Sequence, residues 1–257
     1  MAPVTITSDL GTRDFYLAAL KGAIIAHCEG TPPMLVDITH SIRPFDLKEA
    51  AFAIKNSYHY FPKGSIHIVH IGSGDSNQRV LLSIIDGHYF LTFDTGLLSL
   101  AFEKTPHETY QLNDEFLENN SLMYETALAK AVNLLLNEYK PTDFAHLAVE
   151  TVNYRLLQPV TKPGSIRGTV VYIDNYGNAV TNITRKMFDE HIGERRFTIA
   201  ANVGTANSVS VRYGDADEGE MVCLFGSTGF LEVAINKGKA ENLLGLKVES
   251  PVLVFAD

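Results

Sequence analysis

Apolar positions recur with two different periods along the first part of the chain. Val4-Thr5-Ile6-Thr7 is a short β-prone run, closed by Asp9-Leu10-Gly11. From Asp14 the spacing lengthens, and Leu17, Leu20 and Ile24 fall on one helical face. Asp14 stands where a negative charge suits the helix dipole. Met34 to Ile38 reads as the next strand, and Pro44 with Asp46 opens a second helix over Leu47 to Tyr58. Ile66 to Ile71 is a third strand, ahead of the turn-forming Gly72-Ser73-Gly74-Asp75. Val80 to Ile85 and Tyr89 to Phe93 flank Asp86-Gly87, a hairpin signal. Between Glu125 and Tyr139, Ala127, Ala131, Leu134 and Leu135 line one helix face. This alternation predicts an α/β N-terminal domain over 1–157 with a largely parallel central sheet.

The pattern then changes. Leu157 to Gly164 holds two prolines and a glycine, so 158–166 reads as a linker. Beyond it come short, turn-bounded apolar runs: Gly168 to Asp174, Phe197 to Ala201, Ser208 to Tyr213, Met221 to Phe225 and Phe230 to Ile235. That spacing predicts a small C-terminal β-barrel or sandwich domain over 167–257. Clefts between domains are common ligand sites.

Composition narrows the function classes. The 257 residues are 46% hydrophobic and 20% charged, which is ordinary globular usage. No apolar run approaches the roughly 18 residues of a membrane-spanning helix. The first residues lack a basic segment ahead of an apolar one, so no secretory signal is expected. A formal net charge of −9 without a Lys/Arg cluster argues against nucleic acid as a partner. Cys28 and Cys223 stand far apart and outside any zinc-binding spacing, which fits a cytoplasmic protein and no structural metal.

Standard catalytic motifs fail. Gly72-Ser73-Gly74 lacks the third glycine of a dinucleotide loop, and no phosphate loop or nucleophile elbow occurs. What remains are polar residues at strand ends, where α/β sheets gather ligands. Asp9 follows the first strand, and its carboxylate can accept from a vicinal diol or simply cap a helix. Asp37 and Asp94 each follow an apolar run in the same way. His67 and His70 lie on opposite faces of the third strand, so they share no metal, and His70 ends beside the glycine-rich turn. Asp174 to Asn182 packs Asp, Asn, Tyr and Gly between two apolar runs. Asn178 can read a purine edge and Tyr176 can stack on a base, yet the same residues suit a hairpin turn. Gly226-Ser227-Thr228-Gly229 lets a ligand approach the backbone, or is a tight turn.

Taken in order, these segments resemble the S-adenosyl-L-methionine hydroxide adenosyltransferases, relatives of the bacterial fluorinase and chlorinase. The matching pieces are Thr7-Ser8-Asp9-Leu10-Gly11 with Lys21-Gly22, Val36-Asp37-Ile38-Thr39-His40-Ser41-Ile42, and Asp94 with Gly96-Leu97-Leu98. They continue with Ile173-Asp174, Gly177-Asn178, Thr181-Asn182-Ile183, Gly226-Ser227 and Gly229 to Ala234. The resemblance implies that Asp9 holds the ribose hydroxyls and Asn178 reads the adenine, with the Asn236 stretch at the same ring. It implies Tyr176 as an aromatic wall, Asp174 and Ser227 on the methionine amine and carboxylate, and Glu232 near the ligand. It also implies a homotrimer with sites between subunits.

The chain departs from the family where water is activated. The family's Val-Asp-Pro-Gly-Val-Gly is Val69-His70-Ile71-Gly72-Ser73-Gly74 here, so His70 replaces the water-binding aspartate. Arg79 can supply the family arginine after a small shift in the loop. The family histidine, in a Phe-His-Gly-Arg-Asp run, is met by Met123 within Leu122-Met123-Tyr124-Glu125-Thr126. The resemblance therefore implies hydrolysis of S-adenosyl-L-methionine to adenosine and L-methionine, with His70 and Arg79 as catalytic residues. No cofactor or metal is expected, since S-adenosyl-L-methionine is itself substrate or ligand. The alternatives are a non-catalytic binder of S-adenosyl-L-methionine or adenosine, a halide-using adenosyltransferase with Ser73 near the halide, and an unrelated nucleoside-binding module.

Overall fold

The computed structural model describes residues 2–72, 78–102, 108–117, 123–155 and 158–256. The chain divides into two compact units, 1–155 and 156–257. The first contains β1 (Val4–Ser8), α1 (Tyr16–His27), β2 (Leu35–Thr39), α2 (Leu47–Ser57), β3 (Ile66–His70), β4 (Val80–Ile85) and β5 (His88–Phe93). It continues with α3 (Leu97–Ala101), β6 (Glu108–Leu112), α4 (Met123–Leu136) and β7 (Ala145–Leu147). The strand order is β2-β1-β3-β5-β4-β6-β7.

The sheet is mixed rather than largely parallel. Pairings from β2 through β5 are parallel, and those from β5 through β7 are antiparallel. The reason lies in the connections. The crossovers through α1 and α2 return the chain parallel, and α4 joins β6 to an antiparallel β7. The two-residue turn Asp86-Gly87 reverses the chain between β4 and β5. Both turn residues have positive φ, 50° and 80°, as a primed hairpin turn requires.

Helices cover both faces. On one, Leu17, Leu20 and Ile24 of α1 and Ala127 and Ala131 of α4 pack against Ile6 and Ile68. On the other, Ala50 and Ile54 of α2 and Leu97 of α3 pack against Val69 and Phe90. Helix α1 starts at Tyr16, so Asp14 precedes its first turn. Asp46 caps α2 by accepting from the Glu49 N–H at 2.9 Å. Among the described residues no helix is long and apolar enough to cross a membrane.

The second unit contains β8 (Val160–Lys162), β9 (Ser165–Ile173), β10 (Ala179–Thr184), α5 (Arg185–His191), β11 (Phe197–Ala201) and β12 (Gly204–Ala206). It ends with β13 (Met221–Phe225), β14 (Phe230–Ile235), α6 (Ala240–Leu243) and β15 (Pro251–Ala256). The antiparallel order is β12-β11-β15-β9-β10-β14-β13, with β8 on β9. Its two ends converge: a Cβ on Gly204 would lie 2.6 Å from the Met221 sulfur, so the sheet curls into a nearly closed barrel.

Two expectations need correction here. The segment 158–166 is not free linker, because β8 pairs with β9 as a hairpin. Ser208 to Tyr213 is not a strand; it keeps one bridge, Ser210 to Leu224, and then turns. The Asp215 carboxylate accepts from the N–H groups of Val211 and Arg212, both at 2.9 Å, and bends the chain there. Cys28 and Cys223 are free thiols.

Candidate functional site

The C-terminal ends of the parallel strands form the candidate site of the first unit. β1 and β3 run side by side with Ser8 opposite His70, and the Asp9 N–H reaches the His70 carbonyl at 3.3 Å. Asp9 and His70 are thereby neighbours across the sheet edge. The Asp9 Oδ2 accepts from the N–H of Phe45 at 2.8 Å and of Gly72 at 3.2 Å. Those bonds tie the loop before α2 to the end of β3. Phe45 pays for this with a φ of 66°, and its ring is 70% exposed. A Cβ on Gly72 would lie 3.5 Å from Cδ1 of that ring, so the ring stands beside the end of β3. Sequence reasoning missed Phe45, because neither its backbone strain nor its exposure leaves a mark in the pattern.

His70 points to the α1/α4 face and is fully buried. Its ring meets Phe93 edge-on at 5.0 Å. Its Nε2 lies 3.7 Å from the Glu125 Oε1. Neither ring nitrogen has a hydrogen-bond partner among the described residues. Burial pushes the Glu125 carboxyl up, but the His70 imidazole and a backbone N–H outweigh it and hold it below the ordinary range. Glu125 is also a residue that sequence reasoning did not single out. Where the resemblance expects an aspartate this chain has His70, and Glu125 follows two residues after Met123, which takes the position of the family histidine.

Arg79 lies further along the same edge and does not face His70 in any contact described. Its guanidinium is ion-paired with Asp94 and approaches the Gln111 side-chain oxygen at 3.5 Å. Asp94 also accepts from the Val152 N–H at 2.8 Å, and the Tyr154 N–H donates to the Ser99 hydroxyl at 2.8 Å. The chain 151–154 is thus strapped over the 94–99 turn. Gly96 is needed beneath it, since a Cβ there would lie 2.4 Å from the Tyr154 ring. Asp37 joins Lys21 at 2.7 Å and His40 at 3.2 Å, and His40 in turn meets the Ser8 hydroxyl at 2.8 Å. Ser73, Gly74, Leu122 and the Met123 side chain lie outside the described residues.

The second unit gathers its own polar cluster. Asp174 Oδ1 accepts from the Tyr176 and Asn178 N–H groups at 2.9 and 2.8 Å, and Oδ2 accepts from the Asn178 amide at 3.0 Å. This Asx turn is the plainer role the sequence also allowed. It leaves Asn178 buried and Tyr176 74% exposed. The Tyr213 hydroxyl donates to Glu232 at 2.6 Å. Burial raises the Glu232 carboxyl above its usual range, and Asp174 adds to the rise while Tyr213 opposes it. Burial and the Glu232 carboxylate likewise raise the Tyr213 phenol. Gly226 makes room for this pair, since a Cβ there would stand 1.7 Å from Glu232 Oε1. Ser227 follows, exposed at the turn. Asn236 is engaged internally: its amide donates to the Ala216 carbonyl at 2.8 Å and its N–H to the Glu220 carbonyl at 3.0 Å.

Comparison with known proteins agrees with the division into two domains. The N-terminal domain model of the SAM hydroxide adenosyltransferases matches residues 4–144, and the C-terminal domain model matches 168–253. An (R)-S-adenosyl-L-methionine hydrolase from Thermus thermophilus is 29% identical over 98% of this chain and 99% of its own. A fluorinase from an Actinoplanes species is 24% identical over 98% of this chain and 96% of its own. An uncharacterised conserved protein from Thermotoga maritima shares the fold, with a TM-score of 0.86 at 22% identity over 98% of this chain and 99% of that one. With both of its domains matched in order, the chain belongs to the SAM hydroxide adenosyltransferase family.

Proposed function

We propose that the protein binds S-adenosyl-L-methionine and hydrolyses it to adenosine and L-methionine, water attacking the ribose 5′ carbon. The observation that carries this reading is the pairing of Asp9 with His70 on adjacent strand ends. Asp9 would hold the ribose hydroxyls through Oδ1, its Oδ2 being committed to Phe45 and Gly72. His70 would stand beside the 5′ carbon as the base, histidine being the side chain most often used as a general base. The sulfonium leaves as a neutral thioether, so no general acid is required. Arg79 would stiffen the edge through Asp94 and offer its exposed side to the ligand.

Asn178 would read the adenine, Tyr176 would wall it, and Asp174 with Ser227 would take the methionine amine and carboxylate. Glu232 would tune that pocket's charge, and the Asn236 stretch would shape its rim. In a homotrimer the two half-sites would meet between neighbouring copies. Light scattering tests that state directly.

One incubation tests the reaction. Protein and S-adenosyl-L-methionine are mixed with and without chloride, and products are followed by chromatography. Adenosine in both conditions, lost in Asp9→Ala, is expected. A second reading, binding without chemistry, is favoured by the complete burial of His70. Its mark is a ligand-induced rise in melting temperature with no product. A 5′-halogenated adenosine formed only with chloride identifies the halide-using alternative.

A further inference from the structure

We propose that Glu125 is the positioning residue of this site, forming with His70 a carboxylate–imidazole dyad that accepts the proton of the attacking water. The inference rests on the hydrolase reading above and adds a residue to it.

Three observations carry it. Glu125 occupies the first turn of α4, where the helix dipole favours a negative charge. The carboxylate is buried, 8% exposed, yet held in its ionised form by the imidazole and a backbone N–H. Finally, the imidazole it faces is itself fully buried, and neither nitrogen is hydrogen-bonded within the described residues. A carboxylate buried against an imidazole is a poor device for stability, because its desolvation cancels much of the attraction. Its place at the ligand-gathering edge of the sheet, beside Asp9, points to chemistry instead.

The geometry fixes the roles. Glu125 Oε1 lies 3.7 Å from His70 Nε2, just beyond hydrogen-bond reach, and catalytic hydrogen bonds often tighten only in the liganded complex. A carboxylate there selects the tautomer with the proton on Nε2. The lone pair is then on Nδ1, which is buried and would meet the water once the ligand is bound. As the water oxygen bonds to C5′, its proton passes to Nδ1 and the C5′–S electron pair returns to sulfur. The imidazolium, paired with Glu125, later releases that proton to solvent. Glu125 takes no part in bond making; it orients the ring and stabilises its charged form.

The test uses the full-length protein with S-adenosyl-L-methionine. Glu125→Gln keeps the shape and removes the charge, and it is expected to lower kcat about tenfold to a hundredfold with KM nearly unchanged. Glu125→Asp is expected to recover part of the loss. In the wild type, nitrogen-15 spectra of labelled histidine are expected to show His70 protonated at Nε2. That measurement needs no variant and decides the matter even if Glu125→Gln does not fold. Adenosine formation by the wild type with an indifferent Glu125→Gln, or a proton on Nδ1, overturns the dyad and leaves the hydrolase reading standing. A wild type that forms no adenosine overturns both.

Discussion

The buried histidine pair at the opposite end of the first unit's sheet makes stability depend on pH. His67 is fully buried, with Nδ1 2.7 Å from the Thr5 hydroxyl and Nε2 3.1 Å from His88 Nδ1. Its ring stacks on Phe90 at 4.9 Å and meets Tyr58 edge-on. Burial, aided by His88, pushes its pKa from 6.5 down to about 4. The unfolded chain therefore binds a proton that the folded chain refuses between those values. Stability from this group is complete above pH 6.5 and is lost as pH falls toward 4. At about 1.4 kcal/mol per pKa unit, the fall from pH 7.5 to pH 4.5 removes roughly 2.5 kcal/mol. His88 is lowered chiefly by burial and works in the same direction. Urea melts at pH 7.5, 6.5, 5.5 and 4.5 on the wild type and His67→Gln check this at conditions of our choosing, about one pH unit apart. The variant is less stable at neutral pH, and its stability declines less on acidification. Equal slopes for the two proteins, or a His67 that titrates normally by NMR, would refute the reasoning.

Other perturbations have equally definite outcomes. Gly226→Ala places a Cβ 1.7 Å from Glu232 Oε1 and expels that carboxylate from its bond to Tyr213. The loss is about 2 kcal/mol in urea melts, and it shrinks below about 0.5 kcal/mol in a Glu232→Ala background. Asp46→Ala removes the α2 cap on Glu49 and costs about 1 kcal/mol by the same assay. Phe45→Gly relieves a φ of 66°. It is expected to leave stability unchanged or raise it by up to roughly 1 kcal/mol. The same variant weakens the thermal shift given by S-adenosyl-L-methionine, since the exposed ring beside Asp9 is gone.

The sequence by itself determined whatever depends on near neighbours. Leu17, Leu20 and Ile24 do face the core, Asp86-Gly87 does make a hairpin, and Asp46 does cap its helix, because periodicity, turn chemistry and capping act over a few residues. The family was legible for a related reason: short polar motifs at strand ends keep their spacing whatever surrounds them. The opposite faces of His67 and His70 also followed from strand alternation, although only the structure shows that both are buried.

Only the tertiary structure decided how distant pieces meet. Strand direction beyond β5 depends on which edges pair, and a period-two pattern is blind to that choice. β15, a C-terminal strand between β11 and β9, was hidden for another reason: Pro251 to Ala256 is apolar throughout and shows no alternation. The site was legible as a list of residues but not as a set of contacts. Arg79 is bound by Asp94, and Glu125 reaches toward His70 from a helix far along the chain. Such pairings are set by packing of the sheet against its helices, where burial and the need to satisfy charge choose partners that sequence distance does not reveal.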